Sequence, residues 1–380
     1  MLYITVRQPP SYHQMTLEEF LFSTESCPTL ISNNISNTKT YETSELSYHF
    51  LKKLNLSHLI NKLTEFNNDT ASLREVPRHD LYHTFYIPKK SGGLRKIDAP
   101  NTELMCALRQ LKAIFEEDFN ALYHTSAFAY VKNRSTIDAV KRHQQNESKW
   151  FGKYDLSNFF GSTTLGFVEK MLSMIFPFSE VMKNPKGKEQ LITALSLAFL
   201  DGVLPQGTPI SPTLTNIMMI PIDFTLSKRL RQFEKQKFIY TRYADDFLIS
   251  SRYDFDFKKI ENLIVDTLHS FNAPFSIKSS KTRYGSSAGK NFNLGVMLNK
   301  DNQITIGHKK KRQFEAMLSS YVMDKLNGRA WELNDVQILE GYRNYYRMVE
   351  RDVIDRIVNH ISNKFKVDIV SMIKDDIRNL

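Results

Sequence analysis

Cysteine is almost missing from this sequence. Cys27 and Cys106 are the two cysteines, and with no CxxC pair they can build neither a disulfide framework nor a cysteine-based zinc site. Both are expected to be reduced thiols in the cytoplasm. Long apolar runs are missing too: the longest, near Leu191 to Leu200, is about half a membrane span and reads as a buried helix, so no membrane association is expected. Met1 to Pro10 lacks the basic region followed by an apolar stretch that marks a secretory signal. There is no internal repeat and no low-complexity tract. His49, His58, His79 and His83 are scattered and form no convincing metal-ligand set.

What is in excess is positive charge. Lys and Arg number 51 against 41 Asp and Glu, a net charge of +10. Such a balance suits a polyanionic partner, nucleic acid or an acidic membrane surface, and it also suits a solvated basic face. Aromatic residues make up 12% of the chain, which a Phe-rich core accounts for, although exposed rings could stack on bases. A chain of 380 residues fits two or three subdomains.

Residues 1–75 read as an extension. Pro28 to Ser44 is rich in Ser, Thr and Asn and reads as a loop, and the spacing of Leu, Phe and Ile predicts a helix over Glu45 to Phe66. From Asp80 the pattern changes. Two β-type runs flank KKSGG within 81–100, which reads as a hairpin turn. Residues 102–120 read as a helix with Leu104, Leu108, Leu111 and Phe115 on one face. A short strand ends at Asp155, and residues 163–200 are mostly helical in pattern. YTRYADDFLISSR (240–252) reads as strand, acidic turn, strand. An amphipathic helix spans 256–272, strands return in 291–307, and from His308 the pattern is helical with a basic start. The class is α+β with an all-helical tail.

The acids carry the chemistry. Asp245 and Asp246 lie side by side in a tight turn between apolar strands. Adjacent carboxylates repel, and burying one alone is costly. Hard Mg²⁺ ions, which prefer carboxylate oxygens, relieve that cost. An exposed turn would do so equally, since turn aspartates are common. Nucleotidyl transfer with two ions about 3.5–4 Å apart needs an acid from a second strand. Asp155 fits that role, and it also fits an ordinary strand-end residue capping the next helix.

Together, YADD (243–246), Asp155 followed by Phe159 and Phe160, LPQGTPISPTLTN (204–216) and IPKKSGGLRKIDAP (87–100) stand in the order found in reverse transcriptases. The chain resembles their bacterial branch of retron, group II intron and antiphage-defence enzymes over about residues 80 to 350. The resemblance implies an RNA-directed DNA polymerase with a right-hand fold: fingers over 76–150, palm over 151–300 with a helical insertion at about 163–205, and a helical thumb over 301–380. It implies two Mg²⁺ ions, replaceable by Mn²⁺, held by Asp155, Asp245, Asp246 and the carbonyl of Leu156. Lys281 resembles the lysine that protonates the pyrophosphate leaving group. Lys89, Lys90 and Arg95 resemble fingers residues that hold the deoxynucleotide triphosphate, where Arg can use a bidentate fork. Phe160 resembles the steric gate against a 2′-hydroxyl, and Gln206 and Gly207 the loop beside the nucleotide. Phe292 to Val296, including Gly295, resembles the primer grip. Lys309, Lys310, Lys311 and Arg312 open the thumb and suit the phosphates of the template–primer duplex. Tyr342 and Tyr346 are expected to pack the thumb core. The partners implied are an RNA template, a DNA or RNA primer and deoxynucleotides, in a cytoplasmic bacterial or phage-encoded enzyme.

Within the family the pattern is uneven. Ser211-Pro212 argues against diversity-generating retroelements, which usually carry Gln after that Ser. DAVKRH (138–143) and NLG (293–295) are near-misses of the retron Asn-Ala-x-x-His and Val-Thr-Gly elements. No His-Asn-His nuclease or zinc ligands follow up to Leu380, so an autonomous mobile intron protein is not expected. What remains is phage defence or a small retroelement, with a dedicated structured RNA and an accessory protein as further partners. Template-independent synthesis, a maturase-like RNA-binding role and RNA-directed RNA synthesis are the competing readings. The intact fingers motif, the complete acid set and the bulk of Phe160 count against each in turn.

Overall fold

The computed structural model describes residues 4–8, 11–15, 55–89, 92–119, 123–288, 292–293 and 295–379. Strands β1 (Ile4–Gln8) and β2 (Ser11–Met15) form an antiparallel hairpin, which the reading of the first 75 residues did not anticipate. The Ser/Thr/Asn-rich stretch, and the expected helix over residues 45–54, lie outside the described residues. The helix that is described runs from Leu56 to Asp69, where the Asn55 side chain accepts from the His58 amide. An Asn at that position satisfies an otherwise orphaned helix-start donor.

Strands β3 (Tyr82–Pro88) and β4 (Leu94–Pro100) pair from Tyr82↔Pro100 to Pro88↔Leu94. The turn between them uses Gly92 and Gly93 at φ 86° and 78°, left-handed conformations that cost glycine nothing sterically. The helix Thr102–Ala113 follows, continues as a π turn to Asp118, and buries Leu104, Leu108, Leu111 and Phe115. The helix Thr136–Gln145 begins with a reciprocal capping box between Ser135 and Asp138, each side chain taking the other's free amide.

The central sheet is antiparallel, in the order β6 (Ile239–Tyr243), β7 (Asp246–Ser251), β5 (Trp150–Asp155), β8 (Arg283–Ser286). Helices Leu165–Leu172, Pro185–Ser196, Ser211–Met218, Ile220–Arg231 and Phe257–Ser270 contribute with it to one large apolar core. The apolar run at 191–200 belongs to that core: Leu191, Ala194, Leu195, Leu197 and Ala198 are fully buried.

Three short strands, β9 (Phe292–Asn293), β10 (Val296–Leu298) and β11 (Ile304–Thr305), form a separate antiparallel sheet. Beyond it, helices His308–Leu326, Leu333–Val349, Arg351–Phe365 and Ile369–Asn379 close around a second core of Phe314, Leu318, Val336, Leu339, Ile354, Val358 and Ile373. Tyr346 packs as expected, but Tyr342 does not: it is 43% exposed and stacks on Tyr346 from outside. The two tyrosines are four positions apart on one helical face, so only the inner one reaches the core.

Candidate active site

The sheet brings the three acids together. In the β5–β7 ladder Asp155 sits directly opposite Asp246, and the Leu156 amide donates to the Asp245 carbonyl at 2.9 Å. Asp245 lies in the two-residue loop between Tyr243 and Asp246, which pair with each other. The other loop residue, Ala244, is held at φ 56°, a strained conformation for a side chain with a Cβ.

A residue the sequence reading passed over holds that turn. Arg242 is fully buried. Its guanidinium grips Asp223 through Nε at 2.9 Å and Nη2 at 2.8 Å. Its Nη1 donates to Asn216 Oδ1 at 3.1 Å and to the Ala244 carbonyl at 3.2 Å. Tyr240 donates to the same Asp223 carboxylate at 2.7 Å, and burial pushes its hydroxyl pKa well above the usual range. A lone arginine inside an otherwise apolar strand was the available signal.

A second brace lies beneath the hairpin. His143, the last residue of DAVKRH, is fully buried and bonds Thr241 Oγ1 on β6 at 2.8 Å and Ser250 Oγ on β7 at 2.6 Å. Burial pushes its pKa down to about 3, so the ring is neutral. Ser250 donates onward to Ser148, which assigns the ring proton to Nδ1 and leaves Nε2 to accept from Thr241.

Two lysines counter the acids. Lys281 Nζ lies 2.9 Å from Asp155 Oδ2, and Lys153 Nζ lies 2.9 Å from Asp246 Oδ2. Lys153 was not singled out from sequence. It reaches Asp246 because it stands two residues before Asp155 on the same face of β5. Even so, burial raises the pKa of Asp246 to about 6 against the pull of Lys153, and burial followed by the Asp155 charge raises that of Asp245. Asp155 Oδ1 and Asp246 Oδ1 are buried with no hydrogen-bond partner. Among the described residues, no three side chains of His, Cys, Asp or Glu are gathered into a closed metal site. With ammonium groups as the local cations, each draws its carboxylate its own way. The two orphaned oxygens nonetheless fit a hard divalent ion, which would give each a partner.

The expected nucleotide residues surround this point unevenly. The loop at 206–207 docks on β4, with the Asp98 amide donating to the Gln206 carbonyl at 2.8 Å. Gly207 has φ 125°, and a Cβ there would lie 2.7 Å from the Asp98 carbonyl. Lys89 and Arg95 are exposed on the β3–β4 hairpin, while Lys90 lies outside the described residues. Phe160 is half-buried, edge-on to the buried Phe159. Gly295 has φ 90°, and of Phe292 only its place in β9 is described. The basic run is corrected in part. Lys309 and Arg312 are exposed. Lys310 instead donates to the Gly295 carbonyl at 2.5 Å, and Lys311 pairs with Glu350 at 2.6 Å. A helical start cannot present four successive residues to one partner, so two turn inward to groups of the chain itself.

An antiparallel sheet with paired acids at a hairpin, backed by helices and followed by a helical tail, defines a right-hand polymerase of α+β class. Residues 87–314 match the reverse transcriptase (RNA-dependent DNA polymerase) family. The chain is 29% identical over 236 residues to the retron Ec73 reverse transcriptase of Escherichia coli, covering 61% of this chain and 73% of that one. It is 27% identical over 279 residues to the retron Ec83 reverse transcriptase of the same species, covering 73% and 85%. To the retron Mx162 reverse transcriptase of Myxococcus xanthus it is 32% identical over 209 residues, covering 52% and 40%. The chain belongs to the reverse transcriptase family and is an RNA-directed DNA polymerase, similar to bacterial retron enzymes. No helix of the described residues is long and apolar enough to cross a membrane.

Replacing Arg242 with Met should cost about 3–5 kcal/mol, because Asp223 is left charged and buried; a D223L/R242M double variant should recover most of it in urea unfolding. A second expectation concerns pH. For acids whose folded pKa is raised, stability is present at low pH and lost as pH rises through about 6. Added Mg²⁺ should therefore raise the Tm clearly at pH 7.5 and hardly at pH 5, since its ligands must be deprotonated. Equal shifts at both pH values would contradict this.

Proposed function

We propose that this polymerase extends a primer 3′ end along an RNA template at Asp155, Asp245 and Asp246, with two Mg²⁺ ions that Mn²⁺ can replace. The observation that carries the reading is the pairing of Asp155 with Asp246, which leaves one buried oxygen on each without a partner. When bound, the ions would supply an activated primer 3′-oxygen and charge neutralisation on the departing pyrophosphate.

The chain's own residues do the positioning. Asp155 and Asp245 would be the principal holders of the ions and Asp246 a weaker one, and the Leu156 carbonyl would add an oxygen, its amide already being spent on Asp245. Lys281 keeps its proton firmly, because its hydrogen bond to Asp155 raises its pKa, and it delivers that proton to the pyrophosphate oxygen. Lys89, Lys90 and Arg95 hold the triphosphate, and the 206–207 loop lies flat beside the nucleotide because Gly207 has no room for a side chain. Phe160 lies under the sugar and excludes a 2′-hydroxyl. We assign the fingers to 76–150, the palm to 151–300 with the helical insertion 163–205, and the thumb to 301–380. Phe292 to Val296 steadies the primer, and Lys309 and Arg312 meet duplex phosphates, with Lys310 and Lys311 shaping that surface from within.

We extend the proposal to biological role: copying of a dedicated structured RNA, in phage defence or a small retroelement, as the retron relatives favour. Sequencing the nucleic acid that copurifies from the native locus tests this. One RNA with complementary DNA attached supports it, and low-complexity DNA without a matching RNA favours template-independent synthesis instead.

In primer extension, Asp155→Asn should lower kcat by at least about 10²–10³-fold, the scale on which lost transition-state electrostatics is felt, with the far-ultraviolet spectrum unchanged. Phe160→Val should raise ribonucleotide incorporation relative to deoxynucleotide. An unchanged ratio would remove Phe160 from the gate.

A further inference from the structure

One exposed aromatic beside the acids has no part in the scheme above. Tyr130 is 55% exposed and held at φ 59°. A bulky residue in the left-handed region is unfavourable and persists only where its surroundings impose it. The surroundings here do. Ala127 bridges Arg242 in parallel register, the Phe128 amide donates to the Arg242 carbonyl at 2.9 Å, and the Arg242 amide donates to Ser126 at 2.6 Å. Asn216 Nδ2 donates to the Ala129 carbonyl at 2.7 Å, while its Oδ1 receives Arg242. From the other side, Arg134 Nη1 donates to the carbonyls of His124 and Ala127, and Arg142 to that of Thr125. Residues 126–128 are thus strapped to β6 and Ala129 to the helix Ser211–Met218, and the bulky Tyr130 that follows is left facing solvent.

Hydrogen bonds fix where that residue stands: the preceding Ala129 is held by the same Asn216 that receives Arg242, and Arg242 in turn holds the Ala244 carbonyl of the acidic turn. The electrostatics agree: its hydroxyl pKa is raised, first by partial burial and then by the charges of Asp245 and Tyr243, with Arg95 acting in the opposite sense. Tyr130 therefore lies beside the hairpin that carries the acids, more than half exposed.

We propose that Tyr130 is a stacking platform for a nucleobase at the paired end of the template–primer, held rigid by the same buried Arg242 that holds the acidic turn. An aromatic face accepts any base, so such a contact adds affinity without sequence preference. The strain is then explained by function: the loop gives up local stability to keep the ring beside the acidic turn. The inference rests on the polymerase site proposed above.

The test uses the full chain with Tyr130→Gly, Tyr130→Asn and Tyr130→Phe, measuring Tm, template–primer Kd without nucleotide, and KM for deoxynucleotide. Gly and Asn both tolerate positive φ, so both should hold or raise the Tm while weakening template–primer binding by about 5- to 100-fold, the range for one lost base–aromatic stack. Phe should bind as the wild type does. A Tm that falls with the loss of affinity would make Tyr130 a packing residue and overturn the proposal. So would an unchanged Kd, or a rise confined to the KM, which would place the ring against the incoming nucleotide instead. If Asp155→Asn abolishes synthesis while the Tyr130 variants bind normally, the active-site reading stands and this one fails.

Discussion

An arginine that cannot shed its proton has been placed where no water reaches it. Arg242 and Asp223 are both fully excluded from solvent, and a lone charge there would be prohibitive. Each is tolerable because the other is present in bidentate geometry, and because Tyr240, Asn216 and the Ala244 carbonyl use the remaining donors and acceptors. The network joins the strand before the acids, the turn that contains Asp245, and the helices Ser211–Met218 and Ile220–Arg231. Its energetic value as a pair is small or unfavourable relative to an apolar replacement. What it supplies is geometry: it fixes a non-glycine residue in a left-handed turn, which neither strand propensity nor packing alone would do.

The acids it positions are balanced differently on their open side. Lys153 and Lys281 approach Asp246 and Asp155, but each has a single point of charge and each leaves one carboxylate oxygen unsatisfied. Two ammonium groups therefore hold the strands together against repulsion without saturating the site. Divalent ions are the stronger competitors for the same oxygens, because their charge is doubled and their preference is for carboxylate. In the mechanism proposed above, ion binding would displace the lysines and free Lys281 for the leaving group.

Local periodicity made much of this legible. The apolar runs on either side of YADD, the KKSGG turn, the strand ending at Asp155 and the spacing of Leu104, Leu108, Leu111 and Phe115 are short-range patterns, and the fold follows them. What escaped is long-range. Arg242 read as one residue of a strand because its partners Asp223 and Asn216 lie 19 and 26 residues earlier. Lys153 gains its meaning only from the β5–β7 register. Lys310 and Lys311 read as part of a solvated run because Glu350 is 39 residues beyond Lys311. The folded Tyr342–Tyr346 pair has the same origin: spacing gives a shared face but not how far the neighbouring helices cover it.

His143 was legible as a motif residue and not as a brace, and its helix shows why that position is constrained. At one point the helix Thr136–Gln145 ties β6 to β7 through the neutral imidazole. One residue on, Gln144 exchanges two hydrogen bonds with Asn302, donating to its carbonyl at 2.8 Å and accepting from its side chain at 2.9 Å. About one turn earlier, Val140 packs with Phe151, Leu248, Val296 and Leu298. The same rigid helix therefore touches the strands that carry the acids and the small sheet that carries Gly295. Attack on a phosphorus needs the primer end placed to within a fraction of an ångström of the acids. If Gly295 lies beside the primer as proposed, referring both to one helix would help fix that separation.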